Sequence, residues 1–202
     1  MKLAEALIIA LLFLCYVVPW TDAESHGLRM NAYDWAEWTS LHPAQRSAEP
    51  PLLVSLALRL HLLSFSLLLA CATTKAWRWF YAITLVMLFA AQLPPPEFLS
   101  SSQDSNYRQQ TFLAISTLVL GLIVRNASCK WRRYLSLSAA TLSCGVLVVS
   151  LPQALALTQP HYAQIDLTAA PVVFGGLYLG YAALILSQAR GLIAAPLAPY
   201  KS

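Results

Sequence analysis

Long apolar runs alternate with short polar connections along the chain, and the run lengths carry most of its structural information. Six runs stand out, at residues 3–20, 52–73, 77–93, 108–124, 134–151 and 170–188. Crossing about 30 Å of hydrocarbon takes about 20 residues of helix, and within hydrocarbon only a helix or a closed barrel satisfies its own backbone. The pattern therefore predicts an all-α polytopic transmembrane bundle of about six helices, one integral membrane domain over residues 1–202. The fourth run is short, its strictly apolar part beginning at Thr111. Tyr107, Gln109 and Gln110 extend it into the headgroup layer. A re-entrant segment there would invert everything after it. The first run admits a second reading as a secretory signal, because Lys2 precedes it and Thr21-Asp22-Ala23 offers small residues near a cleavage point. We read it as an uncleaved first helix.

Composition agrees with a lipid environment. Apolar residues make up 58% of the chain and charged ones 11%, against about a quarter charged in soluble domains. A net charge of +4 would suggest nucleic acid only if the cations formed one exposed stripe. They fall instead in clusters between apolar runs, so no nucleic-acid partner is expected.

Those clusters fix the expected orientation, since cytoplasmic loops retain Lys and Arg. With both termini inside, nine cations lie on the inner side: Lys2, Lys75, Arg78, Arg125, Lys130, Arg132, Arg133, Arg190 and Lys201. Only Arg29, Arg46 and Arg108 lie outside, together with eight of the nine acidic residues. The longer loops, 21–50, 94–110 and 152–169, are outside as well. The expected location is the plasma (inner) membrane, multi-pass, with most exposed polar surface on the periplasmic or extracellular side.

The first outer loop holds a short helix over residues 31–42. Asn31 is its expected N-cap, Asp34 completes a variant capping box, and Pro43 marks the end. Trp35, Trp38 and Leu41 recur at three-residue spacing. They suit an interfacial anchor lying over the bundle at headgroup level, or a docking surface for another subunit, where Trp is a favoured anchor.

Within the second run the sequence Leu-Ala-Leu-Arg-Leu-His-Leu-Leu places Arg59 and His61 in an apolar setting. A charge at such depth needs a partner or an escape to water. Arg59 sits roughly 12 Å along the helix at about 1.5 Å per residue, within reach of Glu49 or an acidic loop residue by snorkelling. Two positions differ by about 200° around a helix, so Arg59 and His61 occupy different faces. Arg59 is a candidate for an ion pair, or for contact with an anion or headgroup. His61 is a candidate for a structural hydrogen bond, a proton relay or a metal. Paired haem ligation would require a second intramembrane histidine, and His26, His42 and His161 all lie in outer loops.

The last run contains Gly175, Gly176 and Gly180, with one G-x-x-x-G step from Gly176 to Gly180. The fifth is rich in Ser136, Ser138, Ala139, Ala140, Ser143 and Gly145. Small residues let helices approach closely, so these two are expected to pack together, with Gly176 and Gly180 as candidate interface positions for assembly.

Catalytic chemistry finds little support. Cys15, Cys71, Cys129 and Cys144 show no C-x-x-C spacing, and phosphate-loop, H-E-x-x-H and G-x-S-x-G motifs are missing from the sequence. Buried carboxylates of the kind that couple ion transport are not seen deep in any run. No catalytic residue, metal or cofactor is assigned. The leading reading is a non-catalytic accessory or scaffold subunit of a membrane complex, partnered by lipid and other membrane subunits. A small carrier handling a lipid or anion through Arg59 and His61 is the second. The third, a membrane enzyme, requires His42, Glu97, His161 and Asp166 to converge on the outer face.

Overall fold

The computed structural model describes residues 3–22, 29–98, 103–160 and 165–194, with the side chains of 190–194 excepted. His26 and His161 lie outside the described residues. The chain is helical: α1 (Leu3–Val17), α2 (Ala32–Leu41), α3 (Pro43–Arg46), α4 (Leu53–Ala72), α5 (Arg78–Ala90), α6 (Ser105–Asn126), α7 (Cys129–Thr158) and α8 (Ala170–Ala194). Two short strands, β1 (Thr21–Asp22) and β2 (Asp166–Leu167), pair antiparallel with Thr21 opposite Leu167. They tie the chain after α1 to the chain before α8.

Four helices are long and apolar enough to cross a membrane: α4, α6, α7 and α8. The other two predicted runs form shorter helices, 15 residues in α1 and 13 in α5, with Pro19 and Pro94 beyond their ends, where the missing N–H and the ring disfavour a further turn. At ~1.5 Å per residue these reach only about 20 Å. The fifth run shows the opposite departure. Its apolar stretch ends before Pro152, yet α7 continues through that proline to Thr158, for 30 residues.

Helix α4 is the axis of the bundle. It packs on α1, α2, α5, α6 and α7, and 61% of its most apolar stretch is buried, against 33% in each of α6, α7 and α8. One end of the bundle carries α2, the starts of α4, α6 and α8, and the end of α7. The opposite end carries the start of α1, the ends of α4 and α6, and the start of α7.

Polar side chains join the helices at several levels. Ser143 of α7 donates to Ser64 of α4 at 2.6 Å, and Gln92, 3% exposed, donates to Thr117 of α6 at 2.8 Å. Such bonds hold helices together where apolar contact is no better than contact with lipid. The start of α4 is a strained point. Leu52 adopts φ 59 in the left-handed region, which costs a residue with a Cβ about 1–2 kcal/mol. Gln45 holds it there, accepting from the Leu52 amide at 2.8 Å through its carbonyl and from the Val54 amide at 3.1 Å through its side chain.

The glycines divide by surroundings. A Cβ on Gly121 would stand 2.7 Å from Leu85 Cδ1 and 2.8 Å from Tyr81 Oη, so α5 lies directly against α6 there. A Cβ on Gly175 would meet Leu147 at 3.2 Å, whereas nothing lies within 4 Å of one on Gly176 or Gly180. The packing of α7 on α8 therefore uses Gly175, and the G-x-x-x-G step faces outward. Gly121→Ala is expected to lower stability by about 1–3 kcal/mol through overpacking. Gly176→Ala should stay within about 0.5 kcal/mol of the parent. Thermal unfolding of the two variants in mild detergent checks this, and equal melting points would contradict the α5–α6 contact.

Candidate functional site

Arg59 lies on the α4 face turned toward α2 and α6 and is 2% exposed. Its guanidinium donates to Glu37 Oε1 of α2 at 2.7 Å, to Asn106 Oδ1 at 2.7 Å and to Gln109 Oε1 at 3.1 Å. Gln110 donates to both Glu37 oxygens, at 2.9 and 3.3 Å, and Gln109 donates to the Leu52 carbonyl at 3.3 Å. An acidic residue of the loop between the first two runs, Glu37, is thus the counter-ion, the second of the two alternatives that snorkelling allowed, and Glu49 is not. The pair is one of unequal burial, since the Glu37 side chain is 35% exposed. Burial, and then the Glu37 carboxylate, push the neighbouring Tyr33 phenol above its usual range, so it remains a neutral neighbour of the pair.

His61 points to the other side of α4, as the helical angle demands. It is fully buried among Tyr16, Phe174 and Tyr178, with its ring stacked on Tyr178 at 5.6 Å and edge-on to Phe174 at 4.9 Å. Its Nδ1 shares a hydrogen bond of 3.2 Å with Tyr178 Oη, and its Nε2 has no partner. These contacts hold α8 against α4 and α1. Among the described residues no three His, Cys, Asp or Glu side chains gather closely enough to hold a metal ion.

Helix α2 begins as the spacing predicts. Asn31 accepts from the Asp34 amide at 2.9 Å, and Asp34 accepts from the Asn31 amide at 3.3 Å. Its three apolar landmarks then diverge. Trp35 is fully buried, donates to Thr158 Oγ1 of α7 at 2.8 Å and meets Trp20 edge-on at 6.5 Å. Trp38 is half-buried and packs against His42 at 5.7 Å, while Leu41 is 65% exposed. Each three-residue step falls about 60° short of a turn, so Leu41 lies about 120° away from Trp35. The aromatic side of α2 is turned into the bundle, and His42 also caps α3 by accepting from the Ala44 amide at 3.2 Å.

The opposite end holds groups that the sequence pattern did not single out. Arg132 of α7 reaches the end of α4 and donates to the carbonyls of Ala70, Cys71 and Thr73. Arg125 of α6 donates to the carbonyls of Thr73 and Thr74, both at 3.0 Å. Two residues read as topology signals are thus also caps, satisfying carbonyls that a helix end leaves open and opposing its negative dipole. Beside them lies a cavity of about 320 Å³ lined by Glu5, Cys71, Arg132, Arg133, Ser136 and Tyr181, among others. Neither Arg59 nor His61 belongs to its lining. Glu5 is 7% exposed and accepts from Gln188 at 3.1 Å. The signal for it was in the sequence, since it is the one acidic residue on the cation-rich side.

Glu37→Gln is expected to cost about 3 kcal/mol, because it leaves a buried guanidinium without a counter-charge. Combined with Arg59→Met, the loss should fall short of the sum of the two single losses by at least about 1 kcal/mol. Denaturant or thermal unfolding in detergent measures the cycle, and strict additivity would mean that the two side chains do not act as a pair. Comparison with known protein families, curated proteins and solved structures gives no match for this chain.

Proposed function

We propose that the protein is a non-catalytic, multi-pass component of a bacterial inner-membrane complex, an accessory or scaffold subunit that meets a neighbouring membrane subunit through the outer face of α8. The observation that carries this reading is the orientation of the glycines. Gly176 and Gly180 lie exposed, one turn apart and with open space above them, while the bundle's own α7–α8 contact is made elsewhere. Val172 at 75% and Leu179 at 58% exposure flank them. A helix with such a shallow groove accepts another helix at short range. The deep polar groups favour the same reading over a carrier built on Arg59 and His61, because both residues are engaged in holding helices together.

In the proposed orientation the end carrying Arg125, Arg132 and Arg133 is cytoplasmic and the end carrying α2 is outside. The exposed Cys129 provides the check. In sealed, right-side-out cells it should resist an impermeant maleimide and become reactive after permeabilisation, in a variant whose other three cysteines are replaced by alanine. Labelling in intact cells would reverse the orientation.

For assembly, Gly176→Leu with Gly180→Leu should leave the melting point of the isolated protein unchanged while shifting the gently extracted native complex to the mass of the monomer. Co-extraction of two differently tagged copies separates self-association from a different subunit. A parent protein that is already monomeric in native nanodiscs would overturn the scaffold reading.

A further inference from the structure

The cavity at the cation-rich end contains polar groups that the fold does not satisfy. Glu5 is 7% exposed, and among the described residues its hydrogen bond comes from the neutral amide of Gln188. Among the described residues no cation lies within ion-pair distance of it. Tyr181 is fully buried and its hydroxyl, beside Ser136, makes no well-formed hydrogen bond. Ser136 lines the cavity with it, but gives its hydrogen to the Arg133 carbonyl at 2.9 Å. Arg132 directs one nitrogen at the end of α4 while its Nε is buried and unpartnered. Burying a charge or a donor without a partner is costly, and all three residues line the same cavity.

The signs of charge narrow what would complete this site. A simple anion would meet the Glu5 carboxylate, and a simple cation would meet Arg132 and Arg133. A group carrying both charges, an ammonium and a phosphate a few bonds apart, matches the acid and the two guanidiniums at once, with the Tyr181 hydroxyl as a further donor to phosphate oxygen. The volume of about 320 Å³ falls at the small end of ligand sites, which run to about 1,000 Å³. Position points to the source. Around this end Trp79, Trp131 and Tyr134 are exposed at 70%, 64% and 56%, the aromatic girdle expected at headgroup level, and basic pockets between helices at that level accept lipid headgroups.

We propose that this cavity binds the aminoethyl-phosphate headgroup of a zwitterionic phospholipid, with its ammonium on Glu5 and its phosphate on Arg132, Arg133 and Tyr181. The site is separate from the outer face of α8 and does not depend on assembly through it.

The test uses the full chain in nanodiscs of equal phosphatidylethanolamine and phosphatidylglycerol, followed by native mass spectrometry of the lipid retained. The parent protein should keep phosphatidylethanolamine preferentially, and Glu5→Gln should reduce that preference roughly tenfold, the value of a charge-assisted hydrogen bond. Tyr181→Phe removes only that hydroxyl. It should weaken retention of the lipid without lowering the melting point, which keeps the proposal testable if Glu5→Gln folds poorly. Equal retention of both lipids would show an anion site and overturn the zwitterion. If neither lipid is retained but free O-phosphoethanolamine raises the melting point of the parent and not of Glu5→Gln, the headgroup chemistry stands and the lipid source is wrong. No effect of any of these probes would overturn the proposal outright.

Discussion

A guanidinium that is 2% exposed inside an apolar bundle must be surrounded by acceptors, and much of the α2 end of this molecule is arranged to supply them. Arg59 draws Glu37 from α2, and Asn106 and Gln109 from α6, so three elements distant in sequence are fixed relative to one another by one side chain. Gln110 then donates to the same Glu37 oxygen that Arg59 holds, and more weakly to the other. The direction of dependence is clear from the costs. A buried charge deprived of its partner loses several kcal/mol, whereas any single neutral hydrogen bond in the group contributes about 1 kcal/mol net. The position of α2 over the bundle therefore follows from Arg59 more than from the capping box that starts the helix.

Helix α4 is held in a related way at its far end. Arg125 and Arg132 come from α6 and α7, on either side of the tight turn at residues 127–128, and converge on the carbonyls that close α4. Arginine suits this task because its planar fork can serve several acceptors at once, and its charge opposes the dipole at a helix C-terminus. The central helix, Arg59 at one end and Arg125 and Arg132 at the other form one frame. The remaining helices are placed by it: α8 through the Tyr178–His61 contact, α1 through Tyr16, whose hydroxyl donates to the Leu58 carbonyl at 3.3 Å, and α5 through the close approach at Gly121.

The apolar pattern was enough to identify the helices, since run length and capping chemistry are local properties. Asn31 and Asp34 could be read directly. Lengths were less legible where a proline stood near a run's edge. Pro19 and Pro94 lie beyond helix ends, but Pro152 lies inside α7, and the sequence alone does not distinguish these because the outcome depends on whether neighbouring structure supports the turn after the proline. The angular rule for Arg59 and His61 also held, because 200° of separation is fixed by helix geometry. What the pattern could not give was depth and direction for α2. Trp35, Trp38 and Leu41 look like one face when counted in threes, and only the drift of about 60° per step, about 120° in all, shows that the first enters the core as the last leaves it. Partners across the fold, Glu37 for Arg59 and Thr158 for Trp35, are separated by 22 and 123 residues, and no local signal encodes such pairings.

The two ends differ in how their acidic groups are matched, and that difference bears on function. At the α2 end the Glu37 carboxylate is paired with Arg59, although Arg59 Nε and Gln110 Oε1 are buried without partners. At the other end Glu5 has no cationic partner among the described residues, and Tyr181 and Arg132, which line the same cavity, each keep a buried polar atom unpartnered. Arg132 also caps α4, but apolar residues of similar size at Glu5 and Tyr181 would fill that space without any desolvation cost. Polar groups kept at such cost have a use when something outside the chain completes them. A scaffold whose cation-rich end is completed by a lipid headgroup would gain its final stability only in a membrane of suitable composition, which would couple the folded population of the subunit to its surroundings through simple mass action.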